Sequence, residues 1–213
     1  MGQKINPIGF RLGIGSPWES RWFAPVGKYS QFLKEDILIR NVLMNKLRPA
    51  GIAKIEIERA INKLKIILHV SRPGVLIGRG GSGLQELKKF LLKELGIKEE
   101  SRLEISPMDV KTPDMHAYLV AQNISEQLIR RMPAARVMNQ AIERVMQSGA
   151  KGAKVVLAGR IGGAEIARRE WKAQGSIPLH TLRANIDFAQ TPALTKSGYV
   201  GIKVWINRGE AKI

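Results

Sequence analysis

Apolar residues in the first half of the chain change from a helical spacing to a two-residue alternation. The helical spacing begins near Ser30 and is stopped by Pro49 and Gly51. Its apolar positions are Leu33, Ile37, Met44 and Leu47. The apolar positions of the alternating runs that follow are Ile55, Ile57, Leu64, Ile66, Leu68 and Val70. The pattern predicts one helix and then two strands, which we expect to pair.

A glycine cluster separates two further helical segments. Pro73-Gly74 leads into a short apolar turn that ends at Gly78-Arg79-Gly80-Gly81. The helix after it runs to Gly96, and Ser82 with Gln85 has the spacing of a capping box at its start. The apolar stripe of this helix is Leu84, Leu87, Leu91 and Leu95.

A second unit begins at Thr112-Pro113-Asp114, where a capping residue, a proline and an acidic residue together favour a helix start. We expect this helix to run to about Arg131. Pro133 separates it from another helix, which Gly149 ends. The apolar face of that second helix is Val137, Met138, Ala141, Ile142, Val145 and Met146.

The rest of the chain predicts strands joined by glycine-rich loops. We expect a strand at residues 155–157, a glycine loop at 159–163 and a short basic helix at 165–172. Two further strands are expected at residues 182–188 and 200–206. An α/β two-layer unit is therefore predicted for this part.

These elements define an α+β protein with two domains. A strand around Leu103 and Ile105 that stops at Pro107 completes the first domain, in the order helix-strand-strand-helix-helix-strand. The expected boundaries are 1–29 for an N-terminal extension, 30–107 for the first domain, 112–208 for the second domain and 209–213 for a short tail.

The charge balance indicates a polyanion as the partner. The 213 residues contain 35 Lys and Arg against 18 Asp and Glu, a formal net charge of +17. A membrane surface would require a long apolar run or a basic amphipathic helix with bulky anchors, and the sequence has neither. It also lacks a signal-peptide core and any cysteine, which excludes disulfides and thiolate sites. We therefore expect nucleic acid, no membrane, and a cytoplasmic or equivalent organellar location.

The glycine cluster can be compared with three motifs. Gly78, Gly80 and Gly83 match the G-x-G-x-x-G of dinucleotide-binding folds, but no buried strand leads directly into them. A Walker A loop would need Gly-Lys-Ser or Gly-Lys-Thr, which is missing. Gly78, Arg79, Gly80 and Gly81 fit the G-x-x-G loop of a KH domain, which holds about four nucleotides of single-stranded RNA. The element order favours a type II KH domain, while a glycine turn that only packs remains the alternative.

Basic residues are concentrated in the second domain. They are Lys151, Lys154, Arg160, Arg168, Arg169 and Lys172, with Glu165 and Glu170 between them. Gly162 and Gly163 would let the backbone approach a phosphate, which favours RNA contact over a solvated face. Trp171 and Trp205 are expected in the core and are not assigned to RNA.

Two other segments contribute candidate RNA contacts. His180 and Arg183 lie in a proline-marked loop, where a packing role is nearly as good an explanation. Lys4 and Arg11 lie in a segment that cannot bury much by itself, so we expect it to order against RNA or a partner protein.

The residues present do not favour catalysis. The chain has three histidines, and no two of them form a recognisable pair. Glu165, Glu170 and Asp187 could be a nuclease carboxylate set, but arginines surround them and ion pairing is the expected result. We expect no enzyme, no metal and no cofactor.

Several longer segments are too specific for chance. They are Met1-Gly2-Gln3-Lys4 through Arg11-Leu12-Gly13, Pro17-Trp18, Trp22-Phe23-Ala24, Arg72-Pro73-Gly74 leading into Ile77-Gly78, and Gly149-Ala150-Lys151-Gly152. The most specific are Gly159-Arg160-Ile161-Gly162-Gly163-Ala164-Glu165-Ile166-Ala167-Arg168, Glu170-Trp171 and Pro178-Leu179-His180-Thr181-Leu182-Arg183-Ala184. With these segments the chain resembles, over nearly its whole length, the S-three family of bacterial small-subunit ribosomal proteins.

The resemblance implies a structural component of the small-subunit head, on its solvent side. It implies contact with ribosomal RNA, a place in the channel by which messenger RNA enters, and the ribosomal proteins S-ten and S-fourteen as neighbours. Messenger contact is expected from Arg130, Arg131 and Arg136, whereas Ala135 and Asn139 are neutral where the family is basic. Ribosomal RNA contact is expected from Lys4, Arg11, Lys151, Lys154, Arg160, Arg168, Arg169, Lys172, His180 and Arg183. A free-standing KH regulator or RNA chaperone and a metal-dependent nuclease remain as alternatives.

Overall fold

A computed structural model describes residues 4–60, 63–96 and 102–210. The chain forms two compact units. The first domain comprises the described parts of Trp18–Lys111, and the second comprises those of Met1–Pro17 and Thr112–Ile213. The extension expected over residues 1–29 is therefore divided between the two domains. In the described parts of the chain, no helix combines the length and the apolar character needed to cross a membrane.

Both domains contain helices and strands. In chain order they are α1 (Pro7–Arg11), β1 (Ser20–Arg21), α2 (Val26–Lys46), β2 (Ile52–Arg59), β3 (Leu64–Val70), α3 (Pro73–Ile77), α4 (Ser82–Leu95), β4 (Leu103–Asp109), α5 (Ala117–Ile129), α6 (Ala134–Gln147), β5 (Gly152–Gly159), β6 (Arg168–Gly175), β7 (Ala184–Thr195) and β8 (Gly198–Glu210). Elements α2, β2, β3, α3, α4 and β4 confirm the predicted order helix-strand-strand-helix-helix-strand.

The sheet of the first domain has the strand order β1-β2-β3-β4. Strands β2 and β3 pair, as predicted, and the pairing is antiparallel, with Ile57 opposite Ile66 and both side chains completely buried. Strand β4 lies parallel to β3 at the edge of this sheet and continues past Pro107 to Asp109. The proline does not end the strand because an edge strand can lose one N–H without losing a bond between strands.

Helix α2 buries a different face from the one that its apolar residues predict. Asp36, Ile39 and Leu43 are buried, whereas Leu33 is 42% and Ile37 51% exposed. The predicted helix is present, but Leu33 and Ile37, whose spacing indicated it, do not lie on its buried face. A buried carboxylate on the packed face is the reason.

The carboxylate of Asp36 is satisfied by side chains from other elements. It accepts hydrogen bonds from Nε and Nη2 of Arg59, from the hydroxyl of Ser20 and from the indole N–H of Trp22. A buried charge is tolerated when it is paired and its remaining lone pairs are hydrogen-bonded. These bonds turn α2 so that Asp36 faces the sheet.

Helix α4 begins without the expected capping box. Its N-cap is Gly81, with φ of 82°, and no side chain caps its first turn. Ser82 is already the first helical residue, so the predicted pairing of Ser82 with Gln85 was wrong. The left-handed glycine sets the start of the helix. The predicted end is confirmed by Gly96, which has φ of 66°.

The second domain has two layers, as predicted. Its antiparallel sheet has the strand order β6-β5-β8-β7. Helices α5 and α6 cover one face, where Ile124 and Val137 join Val155 and Val204 in the core. We call this the helix face of the sheet and the opposite side its outer face.

Residues 168–175 form a strand, not the short basic helix predicted for 165–172. Strand β6 pairs antiparallel with β5 along its whole length. It lies at the edge of the sheet, and none of its side chains is fully buried. The segment therefore carries no burial pattern from which a strand could be predicted. At the other end of the domain, Gly209 and Glu210 of the expected tail belong to β8, and residues 211–213 lie outside the described chain.

Candidate nucleic-acid interface

The loop between α3 and α4 is built on left-handed glycines. Gly78, Gly80 and Gly81 have φ of 67°, 61° and 82°, which residues with a Cβ rarely adopt. A Cβ at Gly83 would lie 2.6 Å from the carbonyl oxygen of Leu76, so only glycine allows this approach of α4 to α3. A Cβ at Gly80 or Gly81 would meet nothing within 4 Å. The glycines therefore fix the loop and leave its outer side open.

The surface beside this loop suits a nucleic-acid strand. The N–H of Ser82 donates to the carbonyl of Arg79. No side chain caps α4, so the N–H groups that follow in its first turn are not taken by a capping side chain and could meet an anion. Arg79 is exposed at the same place and adds a positive charge. On α3, Val75 is 55% and Ile77 37% exposed. Phosphates could approach the glycines while bases contact these apolar side chains.

Arg11, by contrast, is not placed to contact RNA. It is 2% exposed, and burial lowers the pKa of its guanidinium. Its nitrogens donate to five backbone carbonyls, which belong to Pro7, Pro178, Leu179, Thr181 and Ala184. Burial contradicts the predicted contact between Arg11 and ribosomal RNA. The residue instead holds the N-terminal segment against the loop between β6 and β7.

The loop held by Arg11 presents two of the predicted contact residues. His180 and Arg183 are both exposed on it. Another predicted residue, Arg160, shapes its own loop, because Nε donates to the carbonyl of Ala164 at 2.8 Å. Its guanidinium nevertheless remains exposed, as does Lys151.

Strand geometry divides the predicted basic cluster between two faces of the second sheet. On the helix face, Arg168 pairs with Glu170 at 3.1 Å. Lys172 reaches α6, where its ammonium donates a hydrogen bond to the side-chain oxygen of Asn139. Successive side chains of a strand point to opposite faces, so Arg169 and Trp171 lie on the outer face. The predicted cluster is therefore two surfaces.

On the outer face, Lys154 lies between two tryptophans. Its ammonium is 5.1 Å from the ring centroid of Trp171 and 5.8 Å from that of Trp205. Burial lowers the pKa of Lys154, and the positive charges of Lys4 and Arg169 lower it further. Trp205 is 7% exposed, as predicted for a core residue, but Trp171 is 61% exposed. The prediction that Trp171 lies in the core was wrong.

The turn between α5 and α6 and the first turn of α6 carry exposed arginines. They are Arg130, Arg131 and Arg136. Among the described residues other than glycine, only Arg131 has a positive φ, 61°. Its N–H donates to the carbonyl of Leu128, and that of Met132 donates to Gln127. This is the Schellman arrangement, in which glycine usually occupies the position of Arg131.

A carboxylate considered for metal chemistry instead supports the fold. Asp187 accepts from Nη2 of Arg208 at 2.6 Å and from the backbone N–H of Ala117 at 3.0 Å. The predicted start, with Thr112 as cap and Pro113 as first helical residue, is the start of a short 3-10 helix at Pro113–Met115. The α-helix α5 begins only at Ala117, where the carboxylate of Asp187 accepts its first N–H. Within residues 4–60, 63–96 and 102–210, no group of three or more acidic, histidine or cysteine residues could hold a metal ion.

Comparisons with known protein families match both domains. Residues 38–115 match the KH domain family, and residues 124–206 match the family described as ribosomal protein S3, C-terminal domain. The glycine loop lies inside the first match. Fold, loop and match together define a KH-domain RNA-binding protein of the α+β class, with the element order of a type II KH domain.

Bacterial relatives match nearly the whole chain. Small ribosomal subunit protein uS3 of Lactobacillus delbrueckii subsp. bulgaricus is 49% identical over 210 residues, which cover 99% of this chain and 92% of the relative. The proteins of the same name from Desulforamulus reducens and Desulfatibacillum aliphaticivorans are 47% and 48% identical, with 93% and 94% of their lengths covered. The chain belongs to the bacterial uS3 family of small-ribosomal-subunit proteins.

Family membership confirms the resemblance seen in the sequence and the coarse function that it implied. The chain is a structural, RNA-binding component of the small ribosomal subunit, and its family is not one of enzymes.

Proposed function

We propose that the second domain contacts ribosomal RNA through its exposed cations and that the turn between α5 and α6 lines the channel by which messenger RNA enters. The messenger part rests chiefly on the left-handed conformation of Arg131. A residue other than glycine in this region costs about 1–2 kcal/mol. Such strain is concentrated at functional sites. An exposed arginine at this position provides positive charge at the expense of stability.

Messenger contact at this turn would be mainly electrostatic. Arg130 and Arg131 lie at the end of α5, and Arg136 lies in the first turn of α6. Arginine can hold a phosphate with two parallel hydrogen bonds. The three side chains would therefore hold the backbone of an incoming strand without reading its sequence.

The ribosomal RNA surface would be formed by exposed or half-buried cations of the second domain. They are Lys4, Lys151, Lys154, Arg160, Arg168, Arg169, Lys172, His180 and Arg183. Arg11 is removed from this set because it is buried. Arg168 should contribute less than the others because Glu170 already partly neutralises it.

The G-x-x-G loop of the first domain would bind single-stranded RNA through Gly78, Arg79, Gly80 and Gly81. Open space above Gly80 and Gly81 and the uncapped start of α4 support this role. The family resemblance supports ribosomal proteins S-ten and S-fourteen as neighbours of the second domain.

Sedimentation would test the ribosomal part of the proposal. The protein should follow the small subunit through a high-salt gradient, whereas a free-standing KH regulator or RNA chaperone would be washed off. For the messenger part, subunits would be loaded with a message that carries a photoreactive nucleotide just outside the entrance. Crosslinking to the segment 130–136 is expected, and crosslinking only to other proteins would refute that placement.

A further inference from the structure

An exposed tryptophan lies on the outer face of the second sheet. Trp171 of β6 is opposite Val156 of β5, which in turn is opposite Lys203 of β8. Residues directly opposite each other in antiparallel strands point to the same face. Trp171, Val156 and Lys203 therefore form one row across the outer face, in which Val156 is buried and the other two are exposed.

Packing does not account for the place of this ring. The apolar cluster on the outer face is formed by Val156, Ala184, Ile186 and Trp205, and Trp171 is not a member. With 61% of its surface exposed, the indole of Trp171 leaves much of its apolar area in contact with water. Large exposed aromatic groups of this kind are typical of binding surfaces.

The charges around the ring are positive. Lys154 contacts it on the same face, and Arg169 lies two residues before it along β6. The two charged groups that act on the pKa of Lys154, Lys4 and Arg169, are both cations and lower it. This crowding of like charge opposes folding, and a bound phosphate would relieve it. An aromatic plane among cations is the arrangement that binds unpaired nucleotides.

We propose that Trp171 is a stacking platform for an unpaired RNA base and that Lys154, Arg169 and Lys203 bind the phosphates beside that base. The inference rests on the proposed ribosomal RNA contact of the second domain. It adds to that contact a base-stacking site on a face separate from the glycine loop and from the arginines between α5 and α6.

Fluorescence titration of the full chain with short single-stranded oligouridylate would test the proposal. The chain would carry Gly80→Asp and Gly81→Asp, so that the glycine loop does not contribute. Trp171→Leu removes the stacking plane, and Trp171→Phe keeps a smaller one. Trp18→Leu is the matched control, because Trp18 is 63% exposed but lies in the first domain.

The stacking contact and the phosphate contacts should affect the salt dependence of RNA binding differently. Trp171→Leu should weaken binding at least about fivefold without changing the slope of log affinity against log salt, since stacking releases no counterions. Trp171→Phe should recover part of the loss, and Trp18→Leu should change nothing. Lys154→Met with Lys203→Met should lower the slope by up to about 1.4, at about 0.7 per phosphate. Oligouridylate should also quench tryptophan fluorescence less in Trp171→Leu than in the parent.

Equal affinity and equal quenching in the parent and in Trp171→Leu would overturn the stacking site, even if the lysine variants still lowered the slope. That result would leave the proposed electrostatic contact with RNA in place. A salt slope near zero in the parent would instead refute the RNA contact itself, and with it the stacking site.

Discussion

The ammonium of Lys172 in β6 donates a hydrogen bond to the side-chain oxygen of Asn139 in α6. Asn139 is one of two neutral residues at positions where the family resemblance led us to expect positive charge. The contact brings a cation from the neighbouring strand to one of these positions. The other position, Ala135, is exposed on the first turn of α6, and the hydrogen bond from Lys172 does not bring a cation to it.

Restoring charge on α6 should therefore have unequal effects at the two positions. Ala135→Arg should speed translation through a stable hairpin, because it adds a cation beside Arg136. Asn139→Lys should add little, because it would place a second ammonium next to Lys172. Arg136→Glu should slow passage through the hairpin. Translation rates of matched messages with and without the hairpin measure these effects.

The role of the Lys172 ammonium as a substitute for a basic residue at position 139 can be tested directly. In a Lys172→Met background, Asn139→Lys should become beneficial, and Lys172→Met alone should slow the hairpin message. An unstructured message is the control and should be unaffected. If none of these variants alters passage through the hairpin, α6 does not act on the message in this protein.

Replacing Arg131 by glycine should change stability and function in opposite directions. Arg131→Gly relieves the left-handed strain and should stabilise the protein by about 1 kcal/mol, but it removes a charge and should weaken messenger binding. Arg131→Ala removes the same charge and keeps most of the strain. The denaturant midpoint should therefore be higher for Arg131→Gly than for Arg131→Ala. Both variants should bind messenger RNA with similarly reduced affinity. Equal midpoints for both variants would contradict the strain argument.

Loss of Arg11 should destabilise the second domain. Arg11→Met leaves five backbone carbonyls without their donor, and we expect a loss of about 3 kcal/mol in the free energy of unfolding. Arg160→Met is the matched control, because Arg160 also donates to two carbonyls but is exposed; it should cost less than about 1 kcal/mol. Similar losses in urea unfolding for both would show that burial is not the cause.

Aspartates in the glycine loop should abolish single-strand binding by the first domain without unfolding that domain. Gly80→Asp with Gly81→Asp places two negative charges where phosphates would lie, and a Cβ meets no neighbour at either position. Aspartate also tolerates a positive φ better than most residues. Gly83→Ala is the contrasting variant, because its Cβ would meet the carbonyl of Leu76 and should disturb the fold. For both variants, circular dichroism measures the fold and titration with an oligonucleotide measures the affinity. Undiminished affinity in the aspartate variant would mean that the loop is only a turn.

Glu56 should make the first domain sensitive to acid. Burial raises the pKa of its carboxyl, but the hydrogen bond and charge of Lys54 and the charges of His69 and Arg21 lower it by more. A lowered pKa in the folded state stabilises the protein above the ordinary pKa, and this stability is lost as the pH falls through the folded pKa. Glu56→Gln should cost about 1 kcal/mol near neutral pH and much less in acid. Urea midpoints at both pH values test this, and a cost independent of pH would contradict it.

The sequence predicts the strands β2 and β3 of the first sheet but not the edge strand β6 of the second. In β2 and β3, the buried side chains of Ile57, Ile66 and Leu68 alternate with less buried, mostly polar ones, because one face is buried against helices and the other is not. In β6 both faces are largely exposed, so no alternation marks the strand. Trp171 was assigned to the core because tryptophan is more often a core residue than a base-stacking one. Its position on an exposed face follows from pairing with β5, which short-range patterns do not encode.

The glycine loop and the strands of the first domain were determined by the sequence itself, because positive φ, turn geometry and one-sided burial each require particular residues within a few positions. Tertiary structure alone decided the rest. Arg11 is buried where its guanidinium donates to the carbonyl of Ala184, 173 positions away. Lys172 donates a hydrogen bond to Asn139, 33 positions away. A basic residue in a glycine-rich segment looks the same whether it faces RNA or backbone carbonyls. Only the packing of distant segments determines which of the two it contacts.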